Sequence, residues 1–321
     1  MSAIRTEKLT RHFGEKVAVD GIDLSVQPGE IYGFLGPNGA GKTTTIRMLV
    51  TLLAPTSGDG WVMGHSVRQD PGAVRLRIGV ALQQAALDGQ QTGAEFLRLQ
   101  GRLYGLSSSV IDRRLAELRE LVDIGGDFDK RIKTYSGGMK RRMDLAAALV
   151  HQPSVLFLDE PTTGLDPVNR RKVWEEIRRL NGEFGITILL TTQYLEEADQ
   201  LAGRVGIISE GKLVIEGTPS ELKRGIGTDL VIVKLHEEST ALHAASHLRT
   251  LDGVERVESH GREVTVATAA GPRLVSRLAL ALDEIGLAVD ELTIRTPTLD
   301  DVFLEATGNR LHAENGGGSA Q

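Results

Sequence analysis

The chain has 321 residues, 25% of them charged and 40% hydrophobic, with a formal net charge of -6. That length suits one large domain with an appendage, or two domains, and the acidic balance weighs against a dedicated nucleic-acid binder, which carries a basic stripe. Cysteine is absent, which excludes disulfides, thiol catalysis and thiolate metal sites. The eight histidines show no HExxH or paired ligand spacing. The longest apolar runs, VLFL (155–158) and ITILL (186–190), are strand-length and far short of a bilayer span. No basic-apolar leader opens the sequence, so the expectation is a chain without a secretory signal, peripheral to any membrane it serves.

Residues 1–35 read as short strands with turns, and a Pro28-Gly29 turn separates two of them. Residues 41–53 (GKTTTIRMLVTLL) have helical spacing, with Ile46, Leu49, Val50 and Leu53 on one face. From about 92 to 150 the pattern turns helical, through FLRLQGRLYGL, VIDRRLAELRELVDI and, after a YSGG turn, MKRRMDLAAALV. The α/β pattern resumes at VLFLDEP, followed by a charged helix (169–181), the strand ITILLTT, the helix LEEADQLA and the strand VGIISEG. Past Gly225-Ile226-Gly227-Thr228 the order is strand (229–235), helix (239–251), strand (253–258), strand (262–268), helix (272–286), strand (288–295). That is the β-α-β-β-α-β order of a ferredoxin-like fold. A short helix, LDDVFLEATG, closes it, and the small, polar residues 309–321 read as a disordered tail. No catalytic constellation follows residue 218.

Three motifs carry chemistry. Residues 36–43 read GPNGAGKT between a strand and a helix. Gly36, Gly39 and Gly41, with Pro37, Asn38 and Ala40 between them, let the backbone wrap phosphate oxygens. The helix N-terminus adds roughly half a positive charge beneath them. Lys42 reaches the β- and γ-phosphates, Thr43 offers a hydroxyl to Mg²⁺, and Thr44 adds a contact on the phosphate side. In VLFLDE a strand buried on both faces ends in Asp159, placed to hold Mg²⁺, and Glu160, placed to orient or deprotonate an attacking water. A binding switch needs only the aspartate, so the second carboxylate argues for hydrolysis. In the third motif Ser136, Gly137 and Gly138 form an anion site at a helix start, with a hydroxyl, close-approaching N–H groups and no lysine.

YSGGM followed by KRRMDLAAALV resembles the signature motif and helix of ABC-type ATPases, and LDEPTTGLDP (158–167) is similar to the stretch running from their catalytic glutamate into the dimer-contact loop. The resemblance covers roughly residues 3–220. It implies an α/β fold: an ABC-type P-loop ATPase domain at 1–224, with a mixed β core and a helical subdomain at about 84–150. A small C-terminal α+β ferredoxin-like domain at 229–308 follows. It implies ATP and Mg²⁺ as ligands and, in the ATP-bound state, a head-to-tail homodimer in which each phosphate loop faces the other copy's Ser136, Gly137 and Gly138. Asp166 then lies in the loop linking the two sites. Gln83, or its neighbour Gln84, resembles the glutamine that touches Mg²⁺ and water. Phe13 sits where the family stacks an aromatic ring on adenine, with core packing as its other reading. One departure stands out: Gln193, in TTQYLEEAD, occupies the place of the family's switch histidine. An amide can donate a hydrogen bond to phosphate but cannot become cationic near pH 7, so Gln193 is expected to sense the phosphate only.

TTQYLEEAD, YSGGMKRR and the closing TPTLDDVFL resemble one branch in particular, the ATPase subunits of daunorubicin/doxorubicin-resistance exporters. That branch implies an integral-membrane permease subunit on a separate chain, a location at the cytoplasmic face of the cell membrane, and efflux of a hydrophobic drug, antibiotic or lipid. No nucleic-acid partner is expected. The rival readings are a soluble ABC-type ATPase acting on ribosomes or DNA, against which stand a single phosphate loop and the lack of heptads, and a nucleotide-dependent regulator. The C-terminal domain is left open between stabilising the dimer, shielding its interface and regulating turnover.

Overall fold

In a computed structural model, which describes residues 1–82, 87–122 and 125–307, the chain opens not with short strands but with two long ones. β1 (Ile4–Phe13) and β2 (Lys16–Val26) pair antiparallel across the Gly14-Glu15 turn. Alternation over ten residues was masked by register shifts along β1, where Lys8 takes a positive φ and the period of two slips. With β4 (Ser57–Val62) and β5 (His65–Ser66) they form a four-stranded sheet in the order β2-β1-β4-β5. The glycine-rich and polar SGDGWV of β4 carries little strand signal.

The second sheet positions the site. β3 (Ile31–Leu35), β6 (Ile78–Ala81), β7 (Val155–Asp159), β8 (Thr187–Thr192), β9 (Arg204–Ser209) and β10 (Lys212–Gly217) lie in the order β10-β9-β3-β8-β7-β6. All its pairings are parallel except that of β10 with β9. β3, β7 and β8 are buried at every residue, as parallel strands covered on both faces require. The pleat sends Leu156 and Leu158 of β7 into one apolar cluster and Val155 and Phe157 into another. Each such side chain removed from water contributes about 1.5–3 kcal/mol.

Helices cover the two faces. α1 (Lys42–Leu49) is shorter than the 41–53 pattern, because Thr51 turns left-handed at φ +64 and ends it; Ile46, Leu49 and Val50 are nonetheless buried. α2 (Pro71–Arg75) precedes β6. α3 (Gly93–Leu103) starts on a capping box, where Thr92 Oγ1 accepts from Glu95 N at 3.2 Å and Glu95 Oε2 accepts from Thr92 N at 2.8 Å. With α4 (Ser108–Val122) and α5 (Gly137–Leu149) it makes the helical block, whose Leu97, Ile111, Leu118 and Leu149 join the cluster beneath β7. α6 (Pro167–Phe184) runs longer than 169–181, from an aspartate cap to Gly185 in the left-handed region. α7 (Leu195–Leu201) completes this part, and α8 (Pro219–Ile226) follows β10.

Two compact units result, one ending at Pro219 and the other beginning at Ser220. In the second, β11 (Asp229–Leu235), α9 (Ala241–Leu248), β12 (Arg256–His260), β13 (Glu263–Thr268), α10 (Gly271–Glu284) and β14 (Val289–Arg295) follow the expected β-α-β-β-α-β order. The sheet order β12-β13-β11-β14, antiparallel throughout, is that of the split βαβ fold. Its core is Val231, Val233, Val264 and Val266 against Leu248, Leu278 and Leu282. α11 (Leu299–Thr307) closes the unit with Val302 and Phe303 buried. Residues 309–321 lie outside the described residues.

Candidate active site

Parallel pairing brings the ends of three neighbouring strands to one edge. Leu35 of β3 is level with Thr192 of β8, and Asp159 of β7 with Thr191. The phosphate loop, Gln193 and the two carboxylates therefore leave the sheet side by side, at the carboxyl ends where open α/β sheets bind ligands. A cleft of about 550 Å³ opens there. Phe13, Pro37, Asn38, Gly39, Gly41, Lys42, Thr43, Thr44, Glu160 and Gln193 line it, together with Lys16, Ala18 and Thr163, which sequence reasoning did not pick out.

Local sterics explain the glycines. At Gly41 φ is +110°, and a Cβ there would lie 2.5 Å from the Ala18 carbonyl oxygen; at Gly36 it would lie 2.5 Å from that of Ile208. Neither position admits a side chain. Ala40 is buried and its carbonyl accepts from Gly211 N at 2.9 Å, tying the loop to the β9–β10 turn. Lys42 curls back so that Nζ donates to Gly36 O at 2.7 Å and Pro37 O at 3.2 Å, and it sits 3.7 Å from Glu160 Oε1. Burial pushes its ammonium down from the usual lysine range, against the opposing pull of Glu160 and Asp159.

The carboxylates are held differently. Asp159 Oδ1 accepts from Thr43 Oγ1 at 3.2 Å and from Thr191 Oγ1 at 2.6 Å. Glu160 has φ +49, a left-handed conformation uncommon for its residue type. Its N–H donates to Thr191 O and Oγ1, both at 3.1 Å, and its Oε2 accepts from Thr163 Oγ1 at 3.3 Å. A non-glycine residue in that region costs about 1–3 kcal/mol and persists where its surroundings over-determine it, often at functional sites. Thr191 is completely buried and holds the Asp159 carboxylate and the Glu160 backbone N–H at once. The signal that could have found it is a hydroxyl ending an apolar parallel strand in register with Asp159.

Phe13 is 47% exposed at the tip of the β1–β2 hairpin, with the Arg11 guanidinium 4.7 Å from its ring centroid. Core packing, its alternative reading, is therefore excluded: a hairpin tip offers no interior. Gln83 and Gln84 lie outside the described residues. Ser136, Gly137, Gly138 and Asp166 are not in the cleft. Ser136 caps α5, accepting from Met139 N at 3.3 Å, and Asp166 caps α6, accepting from Val168 N at 3.0 Å and Asn169 N at 3.1 Å. Those bonds, the one from Asn169 foremost, hold the Asp166 carboxyl below the usual carboxylate range. The two caps are neighbours, since a Cβ on Gly138 would stand 2.9 Å from Asn169 Oδ1. Within one chain the signature tripeptide and the phosphate loop are thus separate surfaces.

A protein-family model described as ABC transporter matches residues 19–163, and one described as the C-terminal domain of DrrA1-3-like ATP-binding proteins matches residues 217–307. The chain is 46% identical over 308 residues to the daunorubicin resistance ATP-binding protein DrrA3 of Streptomyces coeruleorubidus, covering 96% of each. The chain belongs to the ABC transporter ATP-binding proteins. It is also 45% identical to the daunorubicin/doxorubicin resistance ATP-binding protein DrrA of Streptomyces peucetius, covering 96% of this chain and 93% of that one. Among solved structures it resembles cbiO1 from Clostridium perfringens, part of the ABC transporter complex cbiONQ, at TM-score 0.64 and 27% identity, covering 69% of this chain and 90% of the other. The chain is accordingly an ATP-binding, ATP-hydrolysing subunit of the ABC type. Among the described residues no helix is long and apolar enough to cross a membrane.

Proposed function

We propose that this ATPase drives efflux of a hydrophobic drug, antibiotic or lipid through a membrane permease on a separate chain, and that it works at the cytoplasmic face as a homodimer when ATP is bound. Residues 1–224 form the engine, and residues 229–308 a domain that serves the dimer or its regulation. Direction and cargo are supported by likeness, over nearly the whole chain, to proteins named for daunorubicin and doxorubicin resistance.

The observation that carries the chemistry is the meeting of Lys42, Thr43, Asp159 and Glu160 at one sheet edge. Lys42 and the backbone of residues 36–41 bind the β- and γ-phosphates. Thr43 and Asp159, whose oxygens already converge at 3.2 Å, are a hydroxyl and a carboxylate of the kind that hold Mg²⁺ in phosphate-loop ATPases, with Gln83 as a further ligand. Bound Mg²⁺ supplies neutralisation of the charge on the phosphate oxygens. Glu160 orients the attacking water and accepts its proton, and Gln193 reports on the γ-phosphate through its amide. Phe13 stacks on adenine, and Thr44 adds a phosphate contact. Ser136, Gly137 and Gly138 close on the γ-phosphate bound to the second copy, with Asp166 joining the two sites. Their position outside the cleft of their own chain supports that reading.

The test is ATP hydrolysis by the purified chain and by Glu160→Gln, with size-exclusion chromatography in ATP–Mg²⁺. The expected result is an active wild type and an inactive variant that accumulates as an ATP-dependent dimer. A variant that hydrolyses ATP normally, or chains indifferent to ATP, would overturn the engine. In cells, Glu160→Gln should raise sensitivity to hydrophobic antibiotics; unchanged sensitivity to all of them would overturn export.

A further inference from the structure

Along α5 one arginine reaches away from its own helix into the catalytic strand. Arg141 is 12% exposed. Its Nε donates to Pro161 O at 2.9 Å, its Nη1 to Leu82 O at 2.7 Å and to Asp144 Oδ2 at 3.2 Å, and its Nη2 to Asp159 O at 3.4 Å. The carbonyls of Asp159 and Pro161 stand on either side of Glu160. The carbonyl of Leu82 ends the chain's path out of β6, one residue before Gln83. A guanidinium presents five N–H donors in a rigid planar fork, which a lysine ammonium does not reproduce. One side chain therefore fastens three backbone positions around the hydrolytic centre.

The surroundings make this a deliberate arrangement. The buried face of α5 carries Met143, Leu145, Ala146 and Leu149 beside a second buried arginine, Arg142, so a largely desolvated guanidinium there needs partners. Asp144, one turn on, is 13% exposed. Burial pushes its carboxyl up to about 6 and pushes Arg141 down, each against the pull of the other. A pair so desolvated is weak as a source of stability, and what it does supply is geometry. From the opposite side, Thr191 of β8 holds the Glu160 N–H. The left-handed Glu160 peptide is thus gripped between β8 and α5, and α5 is the helix that begins at Ser136.

We propose that Arg141, anchored by Asp144, is a positioning residue for Glu160, through which the placement of the Ser136–Gly138 helix start is transmitted to the hydrolytic carboxylate. The proposal rests on the assignment of Glu160 above. It makes hydrolysis depend on where the helical block sits, and leaves binding of ATP to the phosphate loop of the same chain unaffected.

The test uses the full chain with Arg141→Lys, Asp144→Asn, the double variant and Glu160→Gln, reading kcat, KM for ATP, affinity for a fluorescent ATP analogue and thermal midpoint. Expected for Arg141→Lys is a fall in kcat of about tenfold or more with KM and affinity within about twofold, the pattern of an interaction that matters in the transition state alone. Asp144→Asn should give a smaller loss of the same kind, and the double variant should be no worse than Arg141→Lys, because the two act as one unit. A kcat within about threefold of wild type, affinity falling in step with kcat, or multiplicative losses in the double variant would overturn it. Where Arg141→Lys does not fold, Asp144→Asn decides: kcat reduced at unchanged affinity supports the link, and unchanged kcat removes it. Glu160→Gln separates the two readings. An active Glu160→Gln overturns the assignment of Glu160 and the proposal with it, whereas an inactive one beside a normal Arg141→Lys overturns the link alone.

Discussion

Lys42 Nζ lies 3.7 Å from Glu160 Oε1, with both side chains less than a tenth exposed. The lysine assigned to phosphate and the glutamate assigned to activate water are thus paired with each other. Lys42 is folded onto the carbonyls of Gly36 and Pro37 as well, so phosphate oxygens must compete for it. Glu160→Gln removes the competing charge. We expect it to bind ATP roughly threefold to tenfold more tightly, the effect of about 1 kcal/mol, while hydrolysis falls at least about a hundredfold. Equal or weaker binding in an equilibrium titration would show that the pair does not hold the lysine back.

Thr191 bonds the side chain of Asp159 and the backbone of Glu160 at once. Thr191→Val keeps the shape and removes the hydroxyl, so Asp159 loses its 2.6 Å bond but keeps Thr43, and the Glu160 N–H loses one acceptor but keeps the Thr191 carbonyl. Stability should drop by about 1–3 kcal/mol, seen as a lower urea midpoint, and kcat should fall by at least about tenfold. A variant with the wild-type midpoint and rate would remove Thr191 from the site.

Gln193 lines the cleft with Lys42 and Glu160, in the strand-end position where related proteins place a histidine. Because Glu160 is assigned the proton transfer, Gln193→His should keep activity or raise it. A loss of more than about tenfold in kcat would show that the amide has a role a histidine cannot fill.

Asp144 gives the chain a pH signature. Its carboxyl is raised from 3.8 to about 6, by burial first, with Arg141 opposing. A carboxyl raised on folding binds more protons in the native state, so stability is lost as pH climbs from the unfolded value through about 6. Asp144→Asn has no such loss. Relative to wild type, the variant should therefore gain on the order of 1 kcal/mol in unfolding free energy between pH 5 and pH 8. A difference that stays constant with pH, followed by chemical denaturation at both ends, would refute the shift.

Much of this was legible in residue order because glycine loops, apolar strand runs and helix caps are local chemistry. GPNGAGKT signals a turn of left-handed glycines by itself, and the backbone angle of +110° at Gly41 is incompatible with a side chain. VLFL reads as a buried parallel strand from composition alone. The β-α-β-β-α-β order after residue 228 follows from alternating periodicities, and the sheet order realises it. What local patterning misread were β1 and β2, whose length was hidden by register shifts, and α1, ended early by the left-handed Thr51. β4 passed unnoticed because its glycines and polar residues are held by neighbouring strands rather than by propensity.

Residue order by itself determined that a phosphate loop, a carboxylate pair and a Ser-Gly-Gly helix start share one chain, because each is a short run whose chemistry is complete within a few residues. Only the tertiary structure decided which of them meet. Parallel register set Asp159 beside Thr191 and brought Lys42 to Glu160 across 118 positions of sequence, while the capped starts of α5 and α6 were left outside the cleft. It also decided the roles of Thr191 and Arg141. Their hydrogen bonds join elements 18 to 59 residues apart, and no local pattern records a partner at that distance.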